Sequence, residues 1–477
     1  MADILKPDLC IIGAGALGAA LAIAARARDL EVVLVGNAAA VPSNTAQAGL
    51  QRAAFIASAD RAQAVRSAVA LGVGKADPRP NFRAIGERAA TIAAAAAPET
   101  APERLTALGV TVLREAARFA DQRSLTVGTT LVRARRFVLA TGSKPLLPDL
   151  PGLDQVDYFT PDSILANMRK LSHLLVLGSD AAALELAQAY ARLGSQVTLV
   201  PQGPLLPGFD PEPVAVLLAC LRDEGVTVLV DAMVTAVLPR SQGIGIALAQ
   251  ADGSLGTLDV SHILVAAGRL PDLDADMLDL ARLKRDPGRP EHLALSPQGQ
   301  TSNAQVWAIG GAAGAFDRQH AQLQSAAVLQ RASGLPVTPI DPLRLPRLIN
   351  TTPALAQIGQ LETGAPLRPG QLVLRASASE TTAARAAGSL TGSAKLIVAE
   401  KTGAIVGAAV LGAGAGETIA MLAMARDRGL GASELADLLL PPASPAALLV
   451  DLGRQFRARH KPGAWARRRA GLRQLLP

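Results

Sequence analysis

A glycine-rich turn near the N-terminus carries the clearest chemistry in the sequence. Its residues, spaced as G-x-G-x-x-G, include Gly13, Ala14, Gly15, Ala16 and Gly18. In this spacing the first glycine allows a tight turn, the second lets a pyrophosphate approach the backbone, and the third lets a helix pack against a strand. Backbone N–H groups at the start of that helix then face the phosphates. These five residues are therefore predicted to bind a dinucleotide; the alternative is an ordinary glycine turn in an α/β sheet.

The segments around the turn have the order needed to position it. Apolar residues 9–12 predict a buried strand, residues 19–28 a helix, and residues 32–35 a second strand. Strand, turn, helix and strand together form a βαβ unit. An acidic residue usually follows the second strand and binds the ribose hydroxyls, but here Gly36 and Asn37 follow. The sequence thus keeps the phosphate-binding turn and lacks the ribose-binding acid.

The same pattern returns about 165 positions later, where a predicted strand and a helix at residues 184–193 surround Gly178. This duplication predicts a second nucleotide-binding domain. Here Asp180 occupies the position of the second glycine, and Pro201 that of the ribose-binding acid. A carboxylate about 4 Å from a phosphate charge costs roughly 4 kcal/mol at an effective dielectric constant near 20. Weak binding of NAD(P)H is therefore expected at this second unit.

Composition excludes several classes of protein. The chain of 477 residues has 49% hydrophobic and 18% charged residues, which predicts a globular protein of about two to four domains. No transmembrane helix or export signal is expected, so a cytoplasmic location is predicted. Cys10 and Cys220 are 210 positions apart and are predicted to be inert core thiols. Five scattered histidines predict no metal site.

The positive charge is concentrated at the C-terminus. The net charge is +7. From residue 454 onward the chain has no acidic residue and eight basic ones: Arg454, Arg457, Arg459, Lys461, Arg467, Arg468, Arg469 and Arg473. Without them, 39 basic residues face 40 acidic ones. The tail is expected either to lie on an anionic membrane surface or to be a solvated, partly helical extension. Nucleic acid is not an expected partner, because no binding fold is recognisable and aromatic residues make up 3% of the chain.

Six ordered motifs span nearly the whole chain. They are the glycine turn, Ala140-Thr141-Gly142-Ser143 with Pro145, the second βαβ unit with Glu185-Leu186-Ala187, Ala267-Gly268-Arg269 with Pro271, Thr301-Ser302-Asn303 before Ala308-Ile309-Gly310, and Pro353 with residues 355–359. Together they resemble the flavoprotein disulfide reductases, the pyridine nucleotide-disulfide oxidoreductase family of dihydrolipoamide dehydrogenase, glutathione reductase and mercuric reductase.

The resemblance implies an α/β fold with two Rossmann-like dinucleotide-binding domains and a C-terminal α+β dimerisation domain. It implies FAD in a first domain (residues 1–155 and 271–340), NAD(P)H in a second (156–270), a homodimer formed through a third (341–453), and a basic tail (454–477). The implied cofactor-binding residues are Gly13, Ala14, Gly15, Ala16, Gly18, Asn44, Thr141, Gly142, Gly310 and Gly311 for FAD, and Gly178, Asp180, Glu185, Gly268 and Arg269 for NAD(P).

Departures from the family pattern concern its reactive groups. The family's Cys-x4-Cys pair ends in Cys-Val-Pro-Ser-Lys, whereas here Val41-Pro42-Ser43-Asn44 remains without cysteines and Asn44 replaces the lysine. Glu185, which pairs with that lysine in relatives, is therefore expected to have lost its partner. Gly311 stands where the family has an aspartate that holds the ribityl chain of FAD, and residues 440–447 lack the family's C-terminal acid and base. No catalytic residue is predicted.

The sequence alone is compatible with two functions. The first is an FAD-dependent oxidoreductase that has left dithiol chemistry and passes electrons to a small acceptor. The second is a catalytically silent scaffold or regulatory protein with the same fold. The glycine turn favours the first, which we adopt as the molecular description, and the lost reactive groups favour the second.

Overall fold

The computed structural model describes residues 3–36, 45–95, 101–362 and 367–459. They form two compact units. The N-terminal unit comprises residues 1–66, 76–205 and 224–342, and the C-terminal unit comprises residues 67–75, 206–223 and 343–477. Two short segments from the first half of the sequence thus belong to the C-terminal unit.

The elements are as follows. The helices are α1 (Ala16–Arg26), α2 (Thr45–Ser67), α3 (Phe82–Ala94), α4 (Pro102–Ala107), α5 (Ala181–Arg192), α6 (Pro211–Asp223), α7 (Ala275–Leu280), α8 (Arg318–Ala332), α9 (Thr382–Ala387), α10 (Ala415–Asp427), α11 (Ala432–Leu435) and α12 (Ala447–Arg459). The strands are β1 (Ile4–Leu5), β2 (Leu9–Ile12), β3 (Val32–Val35), β4 (Thr111–Leu113), β5 (Ala117–Asp121), β6 (Ser124–Val127), β7 (Thr130–Val132), β8 (Arg136–Leu139), β9 (Ser143–Pro145), β10 (His173–Gly178), β11 (Gln196–Val200), β12 (Val226–Val228), β13 (Ala232–Pro239), β14 (Ile244–Gln250), β15 (Leu255–Val260), β16 (His262–Ala266), β17 (Arg269–Pro271), β18 (Arg285–Asp286), β19 (Arg289–Leu293), β20 (Val306–Ala308), β21 (Arg347–Ile349), β22 (Leu355–Gly359), β23 (Gln371–Ser377), β24 (Ser393–Ala399) and β25 (Ile405–Leu411).

The N-terminal unit contains two parallel sheets of the doubly wound type. In the described residues the first has the order β20-β8-β2-β3-β4 and the second the order β12-β11-β10-β16. Strand β2 is apolar throughout because it is buried on both faces: Leu9 and Ile11 pack into one core, Cys10 and Ile12 into the other. In both sheets the first strand, β2 or β10, has its sequence successor on one side and a later strand on the other. Ligands of such sheets bind at this switch point, outside the carboxyl ends of the strands.

The C-terminal unit is built on an antiparallel sheet with the order β21-β22-β25-β24-β23. Helices α10 and α12 cover it. Helix α12 buries Leu448, Leu449, Leu452 and Phe456 in the same core as Ile419 of α10. This α+β arrangement, together with the two α/β sheets of the N-terminal unit, confirms the predicted fold class.

Several element boundaries differ from the sequence prediction. The sequence predicts that residues 118–127 and 130–134 are the two arms of a hairpin, but the first segment turns back after Asp121 and forms both β5 and β6. The sequence also predicts a helix over residues 432–439, but this helix ends at Leu435. Strands β13 and β15 were not predicted; β13 ends in a proline, and β15 contains a glycine and an aspartate. Helix α12 was also missed, and it runs through the position where the basic tail was predicted to begin.

Lys395 forms a buried ion cluster inside the C-terminal unit. Its Nζ lies 2.8 Å from Asp210 Oδ2, 3.1 Å from Glu212 Oε2 and 2.6 Å from Glu362 Oε2. The Lys395 side chain is 5% exposed and that of Asp210 is 0% exposed. Arg375 adds a bidentate pair to Glu212. These charges hold Asp210, which precedes α6, and Glu212 in its first turn on strands β23 and β24.

Lys395→Met is expected to destabilise the C-terminal unit by about 3–5 kcal/mol, because it leaves the buried Asp210 carboxylate without its cation. Arg454→Met removes an exposed pair, whose Arg454 Nη1 and Asp451 Oδ1 atoms lie 3.6 Å apart, and should cost at most about 1 kcal/mol. Urea unfolding of both variants and of the wild type measures the difference. Equal losses for the two variants would contradict the importance of the buried cluster.

The cluster also sets a pH dependence. Hydrogen bonds from Arg375 and Lys395 outweigh burial and hold the pKa of Glu212 below its ordinary value. Burial disfavours the charged Lys395, but its hydrogen bonds to Asp210, Glu362 and Glu212 prevail and raise its pKa. The stabilisation by Glu212 is therefore complete above the ordinary glutamate pKa and is lost as the pH falls below it, while that by Lys395 is lost only as the pH rises above the ordinary lysine pKa. The urea midpoint of the wild type should thus fall on acidification, and that of Lys395→Met should fall less.

Candidate functional site

Four chain segments meet at the carboxyl edge of the first parallel sheet. They are the glycine turn after β2, Gly36 after β3, the Thr141-Gly142 loop after β8, and Gly310-Gly311 after β20. Gly13 has φ +121°, and a Cβ there would collide with the carbonyl oxygen of Ala140 at the end of β8. The structure thus brings together nine of the ten residues predicted to bind FAD. The tenth, Asn44, lies outside the described residues.

Helix α1 begins at the turn with free backbone donors. Gly15 is its N-cap residue and supplies no side chain to bond the first N–H groups, and its first turn carries no acid. Within the described residues, no atom lies within 4 Å of the position that a Cβ on Gly15 would take. Orphan N–H groups and open space in front of a helix N-terminus are what a bound phosphate requires.

The Thr141 loop and the Gly310 turn complete this edge. The hydroxyl of Thr141 is buried and has no hydrogen-bond partner among the described residues. Gly310 donates its N–H to Gln324 Oε1 at 2.7 Å, which fixes the turn to α8. An unpaired buried hydroxyl is costly unless a ligand or water satisfies it. Thr141 is therefore suited to contact a bound cofactor.

Two glycines are required here by close backbone approach. A Cβ on Gly36 would collide with the Cβ of Ala14 in the turn, so a ribose-binding acid could not replace Gly36 without moving the turn. A Cβ on Gly311 would lie 2.6 Å from the carbonyl carbon of Gly142. The 142–143 backbone thus occupies the space where the side chain of the family's aspartate would begin.

The second parallel sheet repeats the arrangement with one difference. A Cβ on Gly178, after β10, would collide with the carbonyl oxygen of Ala266 at the end of β16. Asp180 is the N-cap residue of α5, and its Oδ1 accepts a hydrogen bond from the Ala183 N–H at 2.9 Å. Burial raises the pKa of Asp180, against the opposing effects of this hydrogen bond and of Arg52 and Arg269. The start of α1 is therefore open, whereas the start of α5 is capped by a carboxylate.

The expectation that Glu185 has lost its partner is wrong. Its side chain, 3% exposed, pairs with Arg52 of α2, with 3.1 Å between Arg52 Nε and Glu185 Oε2. About two helical turns further along, Asp60 of α2 pairs with Arg192 of α5. Two ion pairs therefore join α2 to α5. Helix α2 supplies the cation of one pair and the anion of the other. A cation still faces Glu185, but it comes from within α2 and not from position 44.

Gly268 and Arg269 hold two loops together in the N-terminal unit. Arg269 Nε donates to Ser143 Oγ and Nη2 to the Ser143 carbonyl oxygen, each at 2.8 Å, while Nη1 pairs with Asp162 at 2.8 Å. These bonds join β17 to β9 beside Gly142. All three bonds of Arg269 go to the protein, so its contribution to a nucleotide site stays a prediction.

Sequence reasoning missed Arg52 and Ser179. Ser179 Oγ accepts a hydrogen bond from the Gln202 N–H at 3.1 Å and ties the second turn to the loop after β11. The sequence does contain a signal for Arg52. The spacing between Arg52 and Asp60 is nearly the same as that between Glu185 and Arg192, and the order of charges is reversed, so the two helices can form two ion pairs. Nothing in the local sequence indicates the role of Ser179.

Of the two cysteines predicted to be core thiols, Cys10 is buried in the core and Cys220 is not. Cys10 is fully buried in β2, and burial raises the pKa of its thiol. Cys220 is partly exposed on α6 of the C-terminal unit. Within the described ranges no group of three or more His, Cys, Asp or Glu side chains could hold a metal ion. In the same part of the chain, no helix is both long and apolar enough to span a bilayer.

Comparison with known proteins identifies the family. A family model described as pyridine nucleotide-disulphide oxidoreductase matches residues 7–330. The chain belongs to this family. The model of the family's dimerisation domain matches residues 345–445, which supports a homodimer. Members of this family bind FAD and use NAD(P)H.

Individual relatives agree with this assignment. Mercuric reductase from Streptomyces lividans is 31% identical over 448 residues, which cover 90% of this chain and 92% of that protein. Mercuric reductase from Acidithiobacillus ferrooxidans is 30% identical over 355 residues, 70% of this chain and 60% of its own length. Two solved structures share the fold at a TM-score of 0.82, each covering 94% of this chain and 99% of its own: the HOCl-induced flavoprotein disulfide reductase RclA from Escherichia coli, 21% identical, and LpdA from Mycobacterium tuberculosis, 22% identical.

For a pyridine nucleotide-disulphide oxidoreductase, the first site fits FAD at one end and departs from the family at the other. The glycine turn, the open start of α1 and the unpaired Thr141 hydroxyl suit the pyrophosphate end. Gly311 itself supplies no carboxylate, and a Cβ at this position would lie 2.6 Å from the carbonyl carbon of Gly142. FAD can therefore use the pyrophosphate contacts, whereas the family's ribityl contact is missing.

Gly311→Ala is expected to destabilise the N-terminal unit by about 1–3 kcal/mol, because the new Cβ would force the Gly142 backbone to move. Gly49→Ala is a matched control on α2, where no described atom lies within 4 Å of the added methyl group; it should be neutral or slightly stabilising, by up to about 1 kcal/mol. Thermal unfolding followed by circular dichroism distinguishes the two variants. An unchanged midpoint for Gly311→Ala would mean that the loop does not constrain position 311.

Proposed function

We propose that this protein is an FAD-dependent oxidoreductase whose flavin accepts two electrons from a reduced pyridine nucleotide and passes them to a small acceptor, such as a quinone or dioxygen, without a cysteine pair. The observation that carries the proposal is the open start of α1. Its uncapped N–H groups face empty space in front of Gly15, in the geometry that binds a dinucleotide pyrophosphate.

The residues that would hold FAD follow from this edge of the sheet. The backbone N–H groups of residues 15–18 would bind the pyrophosphate, and Gly18 would let α1 pack against β2. The Thr141 hydroxyl would gain the partner that it lacks among the described residues. When bound, FAD supplies a two-electron redox centre that needs no thiol. The protein's part is to bind the nucleotide, to orient it at the switch point and to exclude water. Asn44 remains a predicted contact.

The sequence supports a route without dithiol chemistry. A reactive cysteine works as a thiolate and is exposed to its substrate, whereas Cys10 is fully buried with a raised pKa. Cys220 lies on α6, away from the glycine turn in the sequence and in the other compact unit. Residues 440–447 contain neither a carboxylate nor a histidine for proton transfer. We therefore do not propose reduction of disulfides, dihydrolipoamide or mercuric ion by a cysteine pair.

A catalytically silent homologue is the second candidate. Two observations favour it: the 142–143 backbone fills the space beside Gly311, and Asp180 caps α5. Both would weaken cofactor binding relative to the family. A silent protein would keep the fold and the dimerisation domain for binding or regulation.

The test is the flavin content of the purified protein and of Gly15→Ala. We expect about one FAD per chain in the wild type, with the photoreduced flavin reoxidised by a quinone or by dioxygen. Gly15→Ala places a methyl group in the open space, so it should fold normally and lose most of its FAD. Absorbance spectra give the FAD content, and circular dichroism checks the fold.

Two further measurements make this test decisive. The double variant Cys10→Ala, Cys220→Ala should reoxidise at the wild-type rate, because no thiol takes part. A wild type that is colourless and cannot be reconstituted with FAD would exclude the enzyme and leave the silent homologue. A double variant with normal FAD content but no reoxidation would show that a cysteine is needed after all.

We further propose that the domain limits follow the family: FAD binding by residues 1–155 and 271–340, nucleotide binding by 156–270, and dimerisation by 341–453. The two compact units do not separate the first two of these domains. Segments 67–75 and 206–223 belong to the C-terminal unit although they precede it by more than a hundred residues.

The basic tail is proposed to contact an anionic membrane surface. Its first residues continue α12, where Arg457 pairs with Asp437, so the charges available for lipid are mainly those after residue 459. Deleting residues 460–477 should abolish sedimentation with vesicles that contain phosphatidylserine and leave the FAD content unchanged. Equal sedimentation of both proteins, or none with the full chain, would favour a solvated tail.

A further inference from the structure

Positions 15 and 180 are structurally equivalent in the two βαβ units. Each is the residue before the first residue of a helix, α1 or α5, and each has extended backbone, with φ −68° and ψ 175° at Gly15 and φ −88° and ψ 177° at Asp180. Each follows, by two positions, a glycine whose Cβ would collide with the end of a neighbouring strand. A dinucleotide pyrophosphate would therefore approach both positions in the same way.

The carboxylate of Asp180 uses the donors that a phosphate would use. Its Oδ1 accepts from the Ala183 N–H at 2.9 Å, and Ala183 is the third residue of α5. The partial positive charge at the start of a helix stabilises an anion whether it belongs to a ligand or to the protein. With Asp180 in this place, one of the free donors of α5 is taken and a negative charge is already present.

Two arginines act on the charge of Asp180. Burial raises the pKa of Asp180, while its hydrogen bond to the Ala183 N–H and the charges of Arg52 from α2 and Arg269 from β17 act in the opposite direction and favour the ionised form. Arg52 also pairs with Glu185, and Arg269 with Asp162. Helix start, arginines and carboxylates thus form a nearly neutral cluster without a bound anion.

The adjoining loop is held close to the same turn. The Gln202 N–H donates to Ser179 Oγ at 3.1 Å, and Pro201 stands where a ribose-binding acid would be. The start of α5 is therefore capped, and no acidic residue directly follows β11.

We propose that Asp180 is an internal substitute for the dinucleotide pyrophosphate and that it weakens NADH and NADPH binding at the second unit by a hundredfold or more. This inference rests on the proposed function and deepens it, because it identifies the residue that restricts the nucleotide donor. Like charges within about 4 Å account for a hundred- to a thousandfold at an effective dielectric constant near 20.

The experiment compares the wild type with Asp180→Gly, Asp180→Asn and the control Asp154→Asn, which removes an exposed acid elsewhere in the N-terminal unit. Binding of NADPH and of ADP-ribose is measured by isothermal titration calorimetry, with circular dichroism to check the fold. Asp180→Gly should bind both ligands at least a hundredfold more tightly than the wild type. Asp180→Asn, which keeps the cap but loses the charge, should gain less, and the control should gain nothing.

Micromolar binding of NADPH by the wild type would overturn the inference. So would an unchanged affinity in a folded Asp180→Gly variant; if that variant does not fold, an unchanged affinity in Asp180→Asn has the same meaning. The readout needs no flavin. A colourless protein in which Asp180→Gly gains affinity would sink the proposed oxidoreductase and keep the role of Asp180, whereas a flavin-containing wild type with micromolar NADPH binding would do the reverse.

Discussion

The unpaired N–H groups at the start of α1 are the feature on which the cofactor argument depends. A helix leaves its first donors unsatisfied, and they must find a side chain, water or a ligand. In α1 the N-cap residue is a glycine without a side chain. The turn before it is held by the close approach of Gly13 to Ala140, and α1 can approach β2 because residue 18 is a glycine. The residues at the carboxyl edge of this sheet thus leave the first N–H groups of α1 available to a ligand.

The second βαβ unit has the same backbone arrangement as the first, but a carboxylate lies at the start of its helix. Asp180 accepts a bond from one of its helix donors, Asp162 and Glu185 pair with its arginines, and Gln202 bonds its turn. These internal bonds are the basis of the weak nucleotide binding that we propose for it.

Local rules explain what the sequence could predict. The glycine turn, the strand before it and the duplication were predictable because the spacing of glycines and apolar runs determines them within about thirty residues. Helix α12 was predictable in principle, since Leu448, Leu452 and Phe456 repeat at helical spacing, but the prolines at 441, 442 and 445 are typical of a loop. The Arg52–Glu185 pair and the approach of Gly311 to Gly142 depend on how distant segments pack, and no local pattern specifies that packing.

The composition of the C-terminal unit has a consequence for folding during synthesis. Asp210 and Lys395 are 185 residues apart, and the ribosome adds about 5–20 residues per second. Helix α6 thus emerges roughly ten to forty seconds before the strand that carries its lysine. Over that interval Asp210 and Glu212 lack the lysine that pairs with both of them in the folded unit.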